Sequence, residues 1–379
     1  MPVRVAVPKE RASGERRVAL VPAVVKALIP SGAEVAVEAG AGTDAGYPDE
    51  EFRSAGATIE PDVSKLVGAA QVVLRVQPPT PQEIGALSAG TIVVALMNAS
   101  RNLDRVTALR DRKLTSFALE LLPRITRAQS MDVLSSQATV AGYRAALLGA
   151  ELSPKFLPML TTAAGTIRPS KVLILGAGVA GLMAIATAHR MGASVTGYDV
   201  RRAAGEQVRS LGARFLELAI NAEGTGGYAR ELTDDEKKQE QAMVAGAVAE
   251  SDIVITTANV PGRRAPLLVR REMVAGMHPG SVIVDLAAES GGNCELTKPG
   301  DTVQSGGVTI AGPLNLPSQL AYHASQMFAK NLQSFLGLLV GKDGSLVTDF
   351  SDEILAASLL TKDGAVVHKP TADLLAGSK

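Results

Sequence analysis

Residues 171–199 read KVLILGAGVAGLMAIATAHRMGASVTGYD, and this stretch decides the fold of the second half of the chain. The apolar run 172–175 is typical of a strand that is buried on both faces. A glycine pattern G-x-G-x-x-G follows it, formed by Gly176, Gly178 and Gly181. A helix is predicted to begin at Val179, and a second strand over 194–198 is followed by Asp199. Strand, glycine turn, helix, strand and acid in this order predict a Rossmann-type unit.

Each glycine of this pattern has a separate physical reason. Gly176 permits the tight turn from strand to helix, Gly178 lets the backbone approach a pyrophosphate, and Gly181 lets the helix pack closely on the strand. The start of the helix offers free N–H groups and the positive end of the helix dipole to phosphates. The stretch therefore predicts a dinucleotide site.

The acid after the second strand predicts which dinucleotide binds. Asp199 can accept hydrogen bonds from the adenosine ribose hydroxyls, which favours NAD(H) over NADP(H). Arg201 and Arg202 follow it, and arginines at this place can also accept a 2′-phosphate. Since the acid would repel that phosphate, NAD(H) is the preferred interpretation.

Composition limits the class of protein. The chain has 379 residues, enough for two domains of roughly 150 residues each. Its net charge is zero, which argues against a nucleic-acid or membrane-surface binder. The only cysteine, Cys294, is expected to be a buried small residue, and the four histidines show no metal-ligand spacing. Without a signal peptide or an apolar run of about 18 residues, we expect a soluble, cytoplasmic protein.

Strands alternating with helices over the first 120 residues indicate a second α/β domain without a phosphate-binding fingerprint. The fold class predicted is α/β, with two Rossmann-like domains that have parallel sheets and are joined by long interdomain helices. A helix in the second half of 121–150 and an amphipathic helix over Pro317–Val340 are expected to make the two crossings. The expected domains are residues 1–135 with 315–379, and residues 136–314. The polar, glycine-rich stretch 221–232 is predicted to be a mobile loop.

The N-terminal run VPKERASGERRVALVP resembles the opening of alanine and saccharopine dehydrogenases, with Arg17 at the place of their substrate-carboxylate arginine. A solvated charged loop is the alternative. The resemblance puts Arg75 and Met97 where those enzymes carry a catalytic lysine and histidine, and Glu289 where they carry an acid near the nicotinamide. Arginine is a poor acid or base and methionine transfers no proton, so this chemistry argues against an amino-acid dehydrogenase.

The stretch PRITRAQSMDVLSSQ resembles a loop of the NAD(H)-binding component of proton-translocating NAD(P) transhydrogenases. In that family the loop holds the nicotinamide carboxamide and ribose beside the plane of hydride transfer. The matched positions, which the resemblance implies to be catalytic or cofactor-binding, are Arg124, Ile125, Gln129, Asp132 and Ser135. The alternative is a polar cluster at a helix start, with Asp132 as the helix cap.

The resemblance to the transhydrogenase component extends over nearly the whole chain. GAGVAG and YDVR match its pyrophosphate and ribose contacts, and GGYARE matches its mobile loop. Asn259 stands where an apolar residue is expected. The cofactor contacts implied are Gly176, Gly178, Val179, Ala180, Gly181, Asp199, Val200, Arg201, Gly227, Tyr228, Gln239 and Asn259.

The resemblance also implies partners. With one fingerprint for NAD(H), we expect NADP(H) and the proton channel on other, membrane-spanning and NADP(H)-binding subunits, and a homodimer of this chain. The protein would then be cytoplasmic and peripheral to the inner (plasma) membrane. An alanine-type amino-acid dehydrogenase is the second hypothesis, and an NAD-sensing binding module is the third.

Overall fold

A computed structural model describes residues 2–217, 233–259, 264–341 and 344–377. The chain divides into two compact units. Unit 1 comprises Met1–Gln137 and Ser318–Lys379, and unit 2 comprises Ala138–Pro317. These boundaries differ from the expected ones by two or three residues.

The elements alternate between strand and helix through most of the chain. As far as the first boundary helix they are β1 (Val3–Val7), α1 (Pro22–Leu28), β2 (Ala33–Glu38), α2 (Asp49–Ser54), β3 (Thr58–Glu60), α3 (Val63–Gly68), β4 (Val72–Leu74), α4 (Pro81–Gly85), β5 (Ile92–Ala95), α5 (Leu103–Asp111), β6 (Thr115–Ala118) and α6 (Val133–Leu152). Then follow β7 (Leu160–Thr162), β8 (Gly165–Ile167), β9 (Lys171–Leu175), α7 (Val179–Arg190), β10 (Ser194–Tyr198), α8 (Ala204–Ser210), β11 (Arg214–Leu216), α9 (Asp234–Ala249), β12 (Ile253–Thr256), α10 (Arg271–Ala275), β13 (Val282–Asp285), β14 (Thr302–Ser305) and β15 (Val308–Ala311). The last are α11 (Ala321–Leu339), α12 (Glu353–Ser358), β16 (Leu359–Lys362), β17 (Ala365–Val366) and α13 (Lys369–Gly377).

Unit 1 is built on a sheet of order β17-β16-β6-β5-β4-β1-β2-β3. The strands from β6 to β3 are parallel, whereas β16 and β17 add an antiparallel edge. Helix α11 buries Phe328, Leu332, Phe335 and Leu339 in the core on one face of the sheet. These residues follow the three- and four-residue spacing expected of a core helix. The C-terminal tail packs on unit 1, as predicted.

Unit 2 is built on a sheet of order β11-β10-β9-β12-β13-β15-β14, in which only β14 runs antiparallel to its neighbour. Val172 and Ile174 of β9 lie in one hydrophobic cluster and Leu173 and Leu175 in another, so β9 is buried on both faces. The chain runs outward from β9 to β11 and then returns to β12 on the other side of β9. In open α/β sheets a ligand crevice lies outside the carboxyl ends of two such strands.

The long helices differ from the prediction in one respect. Helix α6 contains the first boundary between the units, but α11 lies wholly within unit 1. The second boundary falls in a short 3₁₀ turn, Leu316–Leu320. The α-helix starts only after this turn because Leu320 has a non-helical backbone, with ψ of 47°. Among the described residues, no helix is long and apolar enough to cross a membrane.

Candidate functional site

The glycine turn lies at the point where the strand order of unit 2 reverses. Gly176 follows β9 with a positive φ of 103°, a conformation that favours glycine. Its N–H donates to the carbonyl of Tyr198 at 2.8 Å, and its carbonyl accepts from the hydroxyl of Thr257 at 2.9 Å. Because Thr257 directly follows β12, this bond joins the two strands that flank the crevice. Thr257 was not singled out from the sequence, since a threonine after a strand carries no distinctive signal.

The other two glycines of the pattern have different surroundings. A Cβ on Gly181 would lie 1.8 Å from the carbonyl oxygen of Gly176, so the helix packs on the turn without room for a side chain. A Cβ on Gly178 would meet nothing within 4 Å. Gly178 is the N-cap of α7, and its carbonyl accepts the first helical bond, from Leu182. The N–H groups of the first turn, including those of Val179 and Ala180, have no acceptor within the helix and are suited to bind an anion.

Asp199 connects the end of β10 to the glycine turn. Its Oδ2 accepts from the backbone N–H of Ala177 at 2.9 Å. The guanidinium of Arg201 grips both carboxylate oxygens, with Nε at 2.9 Å from Oδ1 and Nη2 at 2.8 Å from Oδ2. The hydrogen bonds with Asp199 raise the pKa of Arg201. The sequence indicated the acid but not that an arginine two residues later would bind it, and Val200 between them is half-buried.

Helix α9 is attached to the same end of β10. The hydroxyl of Tyr198 donates to Glu240 Oε1 at 2.7 Å, and both side chains are buried. Burial raises the pKa of the Glu240 carboxyl. The exposed Gln239 precedes Glu240 on α9. Sequence analysis missed Glu240, although an acid in line with the buried Val244 and Val248 was a usable signal.

The loop that begins with Asn259 is pinned at both of its described ends. Asn259 itself is exposed. The side-chain amide of Asn293 donates to the carbonyls of Ala258 and Pro266, each at 2.8 Å. The buried carboxylate of Asp285 in turn accepts from the backbone N–H of Asn293 at 2.8 Å. Asp285 and Asn293 were both missed, because their partners are distant in sequence.

Several remaining positions complete unit 2. Gly227 and Tyr228, with most of the predicted mobile loop, lie outside the described residues. Cys294 is buried, as predicted, and burial raises the pKa of its thiol. Gly142 of α6 lies so close to α7 that a Cβ there would be 2.0 Å from the carbonyl oxygen of Ala180. A glycine inside a helical pattern, which costs about 1 kcal/mol relative to alanine, was the overlooked signal.

In unit 1, Asp132 caps helix α6. Its Oδ1 accepts from the backbone N–H of Ser135 at 2.9 Å, and its Oδ2 accepts from the hydroxyl of Ser135 at 2.6 Å. The alternative interpretation of Asp132 as a helix cap is therefore what the geometry shows. Arg124 and Gln129 are exposed, and Ile125 is half-buried.

The segment that carries these side chains is anchored at several points. Ala128 and Met131 are buried in the core of unit 1. Arg127 forms two hydrogen bonds with Asp352, at 2.7 and 3.1 Å, and they lower the pKa of that carboxyl. The amide of Asn331 donates to the carbonyl of Ser130 at 2.8 Å. Gln129 is thus presented to solvent from a segment held on both sides.

The reversal of strand order in unit 1, between β1 and β4, is filled by buried ion pairs. Arg75 lies 3.2 Å from a carboxylate oxygen of Glu10 and 2.7 Å from one of Glu83. Burial opposes the charge of Arg75, but the two carboxylates outweigh it and raise the pKa of the guanidinium. Met97 is also buried, at 1% exposure. Neither side chain at these two positions can transfer a proton.

Arg17 is part of a second buried ion pair. Its Nε and Nη2 donate to the two oxygens of Glu15 at 2.8 and 2.7 Å, and its Nη1 donates to Gln137 at 2.7 Å. With 3% exposure, Arg17 does not belong to a solvated loop, so that alternative is wrong. Glu289 is exposed in unit 2, where it accepts from the backbone of Asn315 at 3.2 Å. Among the described residues, no group of three His, Cys, Asp or Glu side chains could hold a metal ion.

We expect Glu15→Gln to reduce the free energy of unfolding by about 3–5 kcal/mol at pH 7, because it leaves the buried charge of Arg17 uncompensated. Burial favours the protonated form of Glu15, but Arg17 and Gln77 outweigh burial and lower its pKa to about 2. Since the folded pKa lies below the ordinary value of 4.5, the stabilisation is complete above pH 4.5. It is lost as pH falls toward 2, and it amounts to about 3 kcal/mol.

Urea unfolding followed between pH 7 and pH 2 measures this stabilisation. The difference between wild type and Glu15→Gln should shrink as the pH falls through that window. Glu50→Gln is the control, because Glu50 pairs with Arg53 at the surface with 76% of its side chain exposed. Its effect should stay within about 1 kcal/mol. A constant difference at every pH would contradict the assigned ionisation of Glu15.

The fold and the glycine turn define a two-unit Rossmann-type protein whose unit 2 carries a dinucleotide-binding turn. Two family models match the chain: the N-terminal domain of alanine dehydrogenase/PNT over residues 6–141, and the C-terminal domain of alanine dehydrogenase/PNT over residues 145–369. The chain belongs to the alanine dehydrogenase/PNT family.

Known members of this family are similar over nearly the whole chain. The first of the polypeptides that make up NAD(P) transhydrogenase subunit alpha in Rhodospirillum rubrum is 47% identical, with 97% of this chain and 98% of the relative covered. The crystal structure of a transhydrogenase from Sinorhizobium meliloti matches with a TM-score of 0.89 and 46% identity over 96% of this chain and all of that chain. Alanine dehydrogenase of Halomonas elongata is more distant, at 31% identity over 98% of this chain and 96% of its own. The predicted resemblance and α/β fold are confirmed.

Proposed function

We propose that this chain is the NAD(H)-binding subunit of a proton-translocating NAD(P) transhydrogenase. Hydride passes between NADH on this chain and NADP⁺ on a partner subunit, and the exchange is coupled to proton translocation. The observation that carries the proposal is a contrast between the units. Unit 2 has a complete dinucleotide turn, whereas the crevice of unit 1 holds Arg75 and Met97 instead of groups that transfer protons.

The proposed reaction suits such a site. Direct hydride transfer between two nicotinamides requires that the rings be positioned face to face, and it requires no acid or base from the protein. We assign this positioning to the anchored segment of unit 1. The residues proposed to hold the nicotinamide and its ribose are Arg124, Ile125, Gln129, Asp132 and Ser135.

The adenosine half and the pyrophosphate are assigned to unit 2. The helix start of α7 would hold the pyrophosphate, and Asp199 would accept from the ribose hydroxyls. The remaining proposed contacts are those that the family resemblance implies, including Gly227 and Tyr228 outside the described residues. The full set in unit 2 is Gly176, Gly178, Val179, Ala180, Gly181, Asp199, Val200, Arg201, Gly227, Tyr228, Gln239 and Asn259.

The partners follow from the same proposal. NADP(H) and the proton pathway would lie on membrane-spanning and NADP(H)-binding subunits, and this chain would lie at the cytoplasmic side of the inner membrane through them. We also propose a homodimer. Apolar side chains exposed at and beside the hairpin of β7 and β8 support a contact between copies: Phe156 at 59%, Met159 at 63% and Ile167 at 45%.

Assays of the purified chain with and without partners test the function. The isolated chain should bind NADH but should not oxidise it, whether alone or with pyruvate and ammonia. Membranes carrying the partner subunits should restore hydride exchange between NADH and NADP⁺. Turnover of pyruvate and ammonia by the isolated chain would favour the alanine-type dehydrogenase instead. NADH binding without any exchange in the complete system would favour an NAD-sensing module.

A further inference from the structure

The carboxylate of Asp199 has no acceptor position left for a ligand. A carboxylate accepts about four hydrogen bonds, two on each oxygen. Oδ1 accepts from the backbone N–H of Arg201 at 2.8 Å and from its Nε at 2.9 Å. Oδ2 accepts from the backbone N–H of Ala177 at 2.9 Å and from Nη2 of Arg201 at 2.8 Å. Any ribose hydroxyl that binds Asp199 must therefore displace one of these donors.

The four donors are not equally free to leave. The two backbone N–H groups are fixed, one in the glycine turn and one in the chain just after Asp199. The guanidinium ends a flexible side chain that is 25% exposed, whereas the carboxylate is only 8% exposed. A partly exposed ion pair contributes little stability, about 1 kcal/mol or less. The guanidinium is the donor that a ligand can replace.

The shape of the guanidinium contact matches the ligand that would replace it. Nε and Nη2 donate side by side, one to each carboxylate oxygen. The neighbouring 2′- and 3′-hydroxyls of a ribose also offer two adjacent donors to one carboxylate. If the guanidinium leaves, one acceptor position opens on each oxygen, and these are the two positions that such a diol requires.

We propose that Arg201 is a specificity-determining residue: its guanidinium occupies the place of the adenosine ribose diol on Asp199, and NADH binding exchanges one for the other. This inference rests on the proposed function, because it specifies how the NAD(H) site selects its ligand. The exchange lowers NADH affinity by the free energy of the displaced pair. It also weakens rejection of NADPH, because a carboxylate neutralised by an arginine repels a 2′-phosphate less than a bare one.

The consequence is that removing Arg201 improves the site for NADH. Arg201→Ala should bind NADH about threefold to tenfold more tightly, which corresponds to an ion pair of about 1 kcal/mol. It should bind NADPH no more tightly than wild type, so the ratio of the two dissociation constants rises. Arg201→Lys, which retains the charge without the planar fork, should fall between the two.

Isothermal titration calorimetry of the full chain with NADH, NADPH and 2′-deoxy-NADH measures these changes. Arg202→Ala is the matched control, because it removes the same charge from the exposed neighbouring residue and leaves the pair with Asp199 intact. The gain from Arg201→Ala should shrink for 2′-deoxy-NADH, which lacks one of the two hydroxyls. Thermal unfolding of each variant checks that the fold is retained.

The outcomes separate this inference from the function on which it rests. Tighter NADH binding by Arg201→Ala but not by Arg202→Ala supports the exchange. Weaker or unchanged NADH binding by Arg201→Ala overturns it and leaves the NAD(H) site standing. The same gain for both arginine variants reduces the effect to net charge and also overturns it. If the wild-type chain binds no NADH, the proposed function and this inference both fail.

Discussion

Replacing Gly181 with alanine should destabilise unit 2, whereas replacing Gly178 with alanine should remove NADH binding and leave stability intact. The added Cβ at Gly181 would lie 1.8 Å from the carbonyl oxygen of Gly176. That neighbour is a backbone atom, so it cannot rotate away and α7 must move off the turn. Overpacking of this kind costs about 1–3 kcal/mol, and a contact this short places the expected loss at about 3 kcal/mol.

Gly178 offers the contrast within the same turn. A Cβ there would meet nothing within 4 Å, and its φ of −76° is open to any residue. The free energy of unfolding should therefore change by no more than about 0.5 kcal/mol. The open space is where the backbone must approach the pyrophosphate. NADH affinity should fall about tenfold to a hundredfold, the loss expected for one or two charge-assisted hydrogen bonds.

Chemical unfolding and NADH titration of both variants test this division of roles. Gly246→Ala is a control for the substitution itself, because Gly246 lies in α9 with no atom within 4 Å of a built Cβ. It should retain wild-type NADH affinity. Wild-type affinity in Gly178→Ala would remove the pyrophosphate from this turn. Wild-type stability in Gly181→Ala would mean that the helix can shift away from β9 without cost.

The sequence predicted the centre of unit 2 closely because its signals are local. The strand β10 and the first residue of α7 coincide with the predicted bounds, since an apolar run, a glycine turn and a helical pattern follow one another directly. Short edge elements such as β3 and β14 were missed. Strands of three or four residues with half-exposed side chains show too little periodicity to be recognised.

The polar arrangement of both units was less predictable, for a physical reason. The bond between Arg17 and Gln137 joins residues 120 positions apart, and the bond between Tyr198 and Glu240 joins residues 42 positions apart. Such partners are brought together by packing and not by spacing along the chain. Arg201 shows the limit from the other side, because it is adjacent to Asp199 but the sequence alone cannot tell which of several acceptors its flexible side chain will bind.

Gln129→Asn should lower hydride exchange in the reconstituted complex about a hundredfold, while NADH affinity changes little. Gln129 is exposed on a segment that Ala128 and Met131 anchor in the core, so shortening its side chain should not disturb the fold. The proposed contacts to the pyrophosphate and to the adenosine ribose are untouched, and they should preserve binding. A misplacement of about 1 Å between reacting groups can cost a factor of about 10² in rate.

Asp132→Asn should have a similar effect on the rate and a small effect on stability. Asparagine is as good an N-cap as aspartate, so α6 keeps its cap to Ser135 while the charge is lost. Asp132→Ala removes the cap as well and should lower the free energy of unfolding by about 1 kcal/mol more. Ser130→Ala is the control on the same exposed segment, since its contact with Asn331 uses only the backbone carbonyl.

Single-turnover measurement of hydride exchange, set beside NADH titration, separates positioning from binding. If the proposal holds, the Gln129 and Asp132 variants lose rate at nearly constant affinity, and Ser130→Ala loses neither. A wild-type rate in Asp132→Asn would restrict that residue to capping α6. Parallel losses of rate and affinity in Gln129→Asn would mean that Gln129 holds NADH equally in the ground state and the transition state. A drop in rate alone requires that this segment act on the distance and angle between the two rings, which is the one task left for the protein when hydride passes directly between them.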